Sequence, residues 1–185
     1  MENLKLNINN ILRKRTLIVG DIGSGKTKLT AQIVKNLIDK GFSSEITVID
    51  MAPQRKGIIG GKISEYIDIK TIRYLNAENV QGPRITAKTT EELFTIAENN
   101  KRIIEPLLNH YLNYPTEILV INDLTLYLHK GSPIKIIQCI TKSKTFVGNA
   151  YQGTKLSRND SKEFDKIESD KLLEIIKIID YIIKL

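Results

Sequence analysis

One cysteine, two histidines and no tryptophan occur in 185 residues. A lone thiol forms no internal disulfide, so the chain is not a disulfide-stapled scaffold. His110 and His129 stand far apart with no cysteine beside them, which leaves no zinc-ligand spacing. Cys139 lies in an apolar helical stretch and reads as a core thiol. No run approaches the roughly 20 uncharged apolar residues of a membrane span. Met1 to Ile8 lack the apolar core of a signal peptide, so a cytoplasmic protein is expected. Repeats and low-complexity tracts are absent as well. Positive charge is plentiful: the net charge of +7 permits a polyanionic partner. With 41% hydrophobic and 26% charged residues the usage is that of a globular chain, which excludes disorder and suits one domain over 1–185.

Apolar runs and helical periods alternate along the chain. Leu4 to Ile8 alternate as a short edge strand would, giving residues 1–14 the look of a strand-and-turn extension. Thr16 to Val19 form a β-branched run that ends in glycine, the pattern of a buried strand. Leu29, Ile33, Leu37 and Ile38 mark a helix over 26–40, which Gly41 stops. Further strands are expected at 45–50, near 69–75, at 117–121 and at 144–147. Further helices are expected from Thr89 to about Leu112, over 132–141, and over 170–185 at the C-terminus. This order predicts a three-layer α/β/α fold with a mainly parallel sheet and ligands at the carboxyl ends of its strands.

Gly20-Asp21-Ile22-Gly23-Ser24-Gly25-Lys26-Thr27 fits G-x-x-x-x-G-K-[ST], between a strand and an amphipathic helix. Glycines let backbone N–H groups turn inward around phosphate oxygens, and the helix adds its positive end. Lys26 would reach the β and γ phosphates of ATP, and the Thr27 hydroxyl would ligate Mg²⁺, with Lys28 beside them. A magnesium site also needs a carboxylate at a neighbouring strand end. Asp123, after Ile118 to Asn122, is the stronger Walker B candidate, and Asp50, after Thr47 to Ile49, is the other. Either Asp123 serves the metal and the base lies elsewhere, or Asn122 holds the metal weakly and Asp123 polarises water. Asn149 and Gln152, near the end of a later strand, are candidates to sense the γ phosphate or the attacking water.

Together these motifs resemble the HerA/FtsK superfamily of DNA-pumping ATPases, on the RecA-like (ASCE) branch of P-loop proteins. The phosphate loop, Ile46 to Pro53 (ITVIDMAP) and Ile118 to Leu128 (ILVINDLTLYL) carry the likeness, over residues 15–155. The resemblance implies ATP hydrolysis coupled to moving double-stranded DNA through a homo-oligomeric, typically hexameric ring. A neighbouring subunit's arginine then completes each site. It also implies an Asp-Glu pair where this chain has Asn122-Asp123. The absence of added DNA-guiding segments points to a viral or plasmid packaging or transfer motor.

Leu124 through Asn159 contain no acid but carry Lys130, Lys135, Lys142, Lys144, Lys155 and Arg158, charge that a DNA-lined pore would need. Lys142-Ser143-Lys144 is the most loop-like part. Arg55, Arg73, Arg84, Arg102 and Arg158 are available as the neighbour's arginine, and Arg84 and Arg158 lie in expected loops. Two rivals remain at this point. A small-molecule kinase would use Arg55, Arg73 and Arg84 in a lid, and a nucleotide-binding regulatory module would follow from the Asn122 substitution.

Overall fold

The computed structural model describes residues 8–55, 57, 61–158 and 161–185. Six parallel strands form one sheet in the order β3-β2-β4-β5-β1-β6. They are β1 (Arg15–Gly20), β2 (Ile46–Asp50), β3 (Arg73–Asn76), β4 (Ile118–Asn122), β5 (Thr145–Tyr151) and β6 (Tyr181–Lys184). The helices are α1 (Lys26–Asp39), α2 (Pro83–Thr86), α3 (Thr90–Asn113), α4 (Thr125–Leu128), α5 (Pro133–Lys142) and α6 (Lys162–Ile176). The phosphate-loop strand β1 is separated from β4, which leads into Asp123, by β5, the RecA-like order.

Alternation along the central strands builds two cores, one on each face. Ile18, Val48, Val120 and Val147 point to the side of α1, with Ile33, Val34 and Leu37. Leu17, Val19, Ile49, Leu119 and Ile121 point to the side of α3 to α6, with Leu108, Tyr111, Ile136 and Ile175. Both faces are covered, so β2 and β4 are buried along their whole length. Gly41, at φ 90°, closes α1, and the Thr89 side chain caps α3 by accepting from Glu92 N at 3.1 Å.

The C-terminus departs from its sequence pattern. Instead of one helix over 170–185, α6 ends at Ile176, and after a turn Tyr181–Lys184 pair with β1. Asp180 fixes the junction: its Oδ2 accepts from Arg15 N at 2.8 Å, and its own N donates to Arg15 O at 2.9 Å. The repeated isoleucine pairs suit a β-branched edge strand as well as an apolar helix face. At the other terminus the expected edge strand over 4–8 lies outside the described residues except for Ile8, which starts a 3₁₀ turn, Ile8–Asn10. Among the described residues no helix is long and apolar enough to cross a membrane.

Candidate nucleotide site

The phosphate loop leaves β1 at Gly20 and enters α1 at Lys26. Gly23 (φ 74°) and Gly25 (φ 95°) occupy the left-handed region, which glycine adopts without a Cβ penalty. Gly20 is held for another reason: a Cβ there would stand 2.6 Å from Leu185 O, because β6 runs alongside. Asp21 ties the loop to the segment after β5, accepting from Ile22 N (2.6 Å), Thr154 N (3.2 Å) and Lys155 N (3.3 Å). Burial works against that carboxylate's charge, but these donors outweigh it and hold its pKa below the ordinary value.

A cavity of about 440 Å³ opens beside the loop. Ile22, Gly23, Gly25, Lys26, Thr27 and Lys28 line it from one side, and Asp123, Thr125 and His129 from another. Ala52, Pro53, Arg55, Tyr66, Arg84 and Ile85 extend it beyond the ends of β2 and β4. Gly20, Asp21 and Ser24 frame the loop without lining that space.

Lys26 Nζ lies across the loop, donating to Gly20 O (2.9 Å) and Asp21 O (2.7 Å). Burial lowers its pKa, and Asp123 and Asp21 oppose the shift. Burial raises the pKa of Asp123, against the pull of Lys26 and the Thr125 hydroxyl, which donates to its Oδ1 at 3.0 Å. Asp123 also has φ 58°, a left-handed conformation held by its N donating to Asn149 Oδ1 at 2.9 Å. Such backbone costs about 1–3 kcal/mol and gathers at functional sites.

Thr27 and Asp123 pass a chemical test for Mg²⁺. They bring one hydroxyl and one carboxylate to the same cavity, hard oxygen donors that magnesium takes alongside phosphate oxygens and water. Thr30 and Thr95 spend their hydroxyls on the carbonyls of Lys26 and Glu91, whereas Thr27 makes no such bond among the described residues. No cluster of three or more His, Cys, Asp or Glu able to hold a metal occurs among the described residues.

Four expectations need correction. Asp50 does not face the cavity. It is fully buried, and its carboxylate accepts from Asn122 Nδ2 (2.8 Å), Ile63 N (2.7 Å), Tyr74 OH (2.6 Å) and Ala52 N (3.2 Å). Asn122 is equally buried and committed: it donates to Asp50 and to Gly61 O (3.2 Å) and accepts from Asn149. Of the two neighbours only Asp123 reaches the cavity: Asn122 is the last residue of β4 and stays buried in the sheet, while Asp123 follows it in a left-handed turn. Asn149 touches the cavity wall from inside β5, yet its amide is spent on Thr30 Oγ1 (2.9 Å), Asn122 Oδ1 (2.7 Å) and Asp123 N. Gln152 is exposed, lies outside this cavity and lines a separate shallow cleft along α6.

The arginines are also placed differently. The Arg84 side chain is 6% exposed and lines the cavity of its own chain. Arg158 donates to Ala87 O at 2.6 Å, and Arg73 to Thr47 Oγ1 at 2.8 Å, away from the site. His129 and Glu168 line the cavity too, in contact with each other, and sequence reasoning missed both. No local spacing links Glu168 to the phosphate loop.

Residues 2–53 match the family described as "Helicase HerA, central domain", a segment that contains β1, the phosphate loop, α1 and β2. The match supports the HerA/FtsK type of P-loop ATPase over the part it covers. No curated protein sequence matches the chain. Among solved structures, Pif1 helicase from Candida albicans is similar at 16% identity and TM-score 0.39, covering 100% of this chain and 40% of that one. The Hef helicase domain of Pyrococcus furiosus is similar at 15% identity and TM-score 0.41, covering 96% of this chain and 36% of that one. The chain thus spans well under half the length of either.

Proposed function

We propose that this chain is a Mg²⁺-dependent ATPase whose turnover is coupled to moving double-stranded DNA as an oligomeric ring. The observation that carries the ATPase reading is the convergence of Lys26, Thr27 and Asp123 on one cavity at the carboxyl ends of parallel strands. In this reading the loop's N–H groups and Lys26 bind the phosphates. Thr27 and Asp123 would hold Mg²⁺, which would supply positive charge against the phosphates. Lys26 must first leave the carbonyls of Gly20 and Asp21, so binding exchanges bonds to neutral acceptors for bonds to charged phosphate oxygens.

The DNA reading rests on the HerA-like segment, the net charge of +7 and the basic run after Asp123. Within that run Lys135 pairs with Glu105 at 2.9 Å and Lys144 pairs with Glu117, while Lys142 and Lys155 are exposed. Lys142 lies at the amino end of β5, opposite the nucleotide site, and Lys155 on the cavity rim. A kinase acceptor would instead occupy the cavity's extension past Arg55, Tyr66 and Ile85.

The test is phosphate release from ATP by wild type and Lys26→Ala, with and without long duplex DNA at low salt. Lys26-dependent release without any acceptor, raised several-fold by DNA, is the expected outcome. Release that ignores DNA would remove the motor reading, and binding of ATP with no release would remove the ATPase.

A further inference from the structure

Arg84 sits at the far wall of the nucleotide cavity, held by carboxylates from a helix remote in sequence. Its Nε and Nη2 meet Asp165 Oδ1 at 2.7 Å, and its Nη1 donates to Glu168 Oε2 at 3.0 Å. Its guanidinium carbon lies 5.0 Å from the Phe164 ring centre and 5.7 Å from that of Tyr151. Lys26 Nζ lies 5.9 Å from the same Tyr151 ring. The phosphate-loop lysine and this buried arginine therefore flank one aromatic residue and line one cavity.

We propose that Arg84 is the cation that bonds the γ-phosphate oxygens of ATP, supplied by the same chain as the phosphate loop rather than by a neighbour. This rests on the ATPase reading and names a residue that reading lacked. Hydrolysis forms a P–O bond to water and breaks the β–γ bridge, whose electron pair leaves with ADP while the water's proton passes to solvent. Charge on the equatorial γ oxygens needs a fixed cation throughout, and the Nη1 amino group of a guanidinium brings two N–H donors to them.

The contacts around Arg84 allow one of its nitrogens to be exchanged onto phosphate. His129 presses Nε2 against Glu168, and its Nδ1 is buried with no partner. Arg84 faces two carboxylates, Asp165 through Nε and Nη2 and Glu168 through Nη1. Moving Nη1 onto phosphate gives up the longer bond, to Glu168, and keeps the Asp165 pair. His129 remains as the donor to Glu168, so that carboxylate is not left bare. Phosphate binding would then be felt by α6, which carries both acids and leads into β6.

Two measurements test this together: the ratio of ATP to ADP affinity, and turnover in mixtures of mutants. Arg84→Ala should lower the ATP preference about tenfold or more with ADP affinity nearly unchanged, and cut turnover about 10²-fold or more. Arg84→Lys should recover part of both. Because Arg84→Ala strands two acids, the double variant Arg84→Ala/Asp165→Asn is measured beside it. Mixing Arg84→Ala with Lys26→Ala protein should restore nothing, since neither chain holds a complete site. Restored turnover would mean that Arg84 acts on a neighbour and would overturn the assignment. Equal weakening of ATP and ADP, or full turnover in a folded Arg84 variant, would also overturn it while leaving the ATPase reading in place. Absence of turnover in wild type would sink the ATPase reading instead, and the affinity ratio would still decide the role of Arg84.

Discussion

Asn149 donates to Asn122 Oδ1 at 2.7 Å across adjacent parallel strands, beneath Asp123. The same amide donates to Thr30 Oγ1 and accepts from Asp123 N, so α1, β4 and β5 meet at one side chain. Asn149→Ala would leave three buried polar groups without this partner. At about 1 kcal/mol or more for each, the variant should lose roughly 3 kcal/mol of stability. It should also lose turnover, because the left-handed backbone of Asp123 would no longer be held. Urea unfolding and phosphate release check the two effects. An unchanged urea midpoint would contradict the network.

Installing an acid at Asn122 should harm the fold rather than improve catalysis. Asn122 Nδ2 stands 2.8 Å from Asp50 Oδ1, with both side chains fully buried. Asn122→Asp removes that donor and sets two carboxylates face to face. We expect a loss of about 3 kcal/mol or more, the scale of a broken buried polar pair. Turnover per folded molecule should not exceed wild type. Thermal melting and a steady-state assay check this, and an active, stable variant would reopen the metal role of position 122.

The contrast between these neighbours shows where sequence reading stops. The phosphate loop, β1, α1 and the apolar strands were legible because each signal is local: a fixed spacing, a β-branched run or a helical period. The choice between Asn122 and Asp123 was not, since it depends on which of two adjacent residues turns toward the cavity. Asp50 looked like a ligand because it ends a strand, but Asn122, Tyr74 and the backbone of Ile63 converge on it from distant segments. Arg84 and Glu168 meet across 84 positions of sequence, and no periodicity encodes that contact. The β6 strand was hidden because Ile175 to Ile183 fit two periods equally well until pairing with β1 selects one.

Gly153 provides a purely steric test of how the loop is braced. A Cβ at that position would stand 2.3 Å from Asp21 Cγ, and Asp21 receives the N–H groups of Thr154 and Lys155. Gly153→Ala must push the Asp21 carboxylate off these donors. Nucleotide affinity should fall about tenfold, the equivalent of roughly 1.4 kcal/mol, while the unfolding midpoint changes little because the contact lies at the surface. Nucleotide titration against wild type measures it. An affinity equal to wild type would show that the loop does not need the Asp21 brace.

Glu168 sets an acid limit on stability. Burial pushes its pKa up, but His129 and Arg84 outweigh that and hold it below its ordinary value of 4.5. A carboxyl with a lowered folded-state pKa stabilises the protein fully above its unfolded value and loses that contribution as pH falls through the folded value. Melting temperature should therefore drop on acidification below about pH 4.5, where the unfolded chain begins to take up the proton first. Glu168→Gln removes this linkage. It should lower the melting temperature at pH 7, where the ion pairs are intact, and flatten the fall at acid pH. Asp21 and Glu65, whose pKa values are also held low, keep part of the acid slope in both proteins. Melting curves from pH 7 to pH 3 separate the outcomes. Parallel curves, offset by a constant amount, would mean that Glu168 contributes packing alone and that its contact with Arg84 carries no charge linkage.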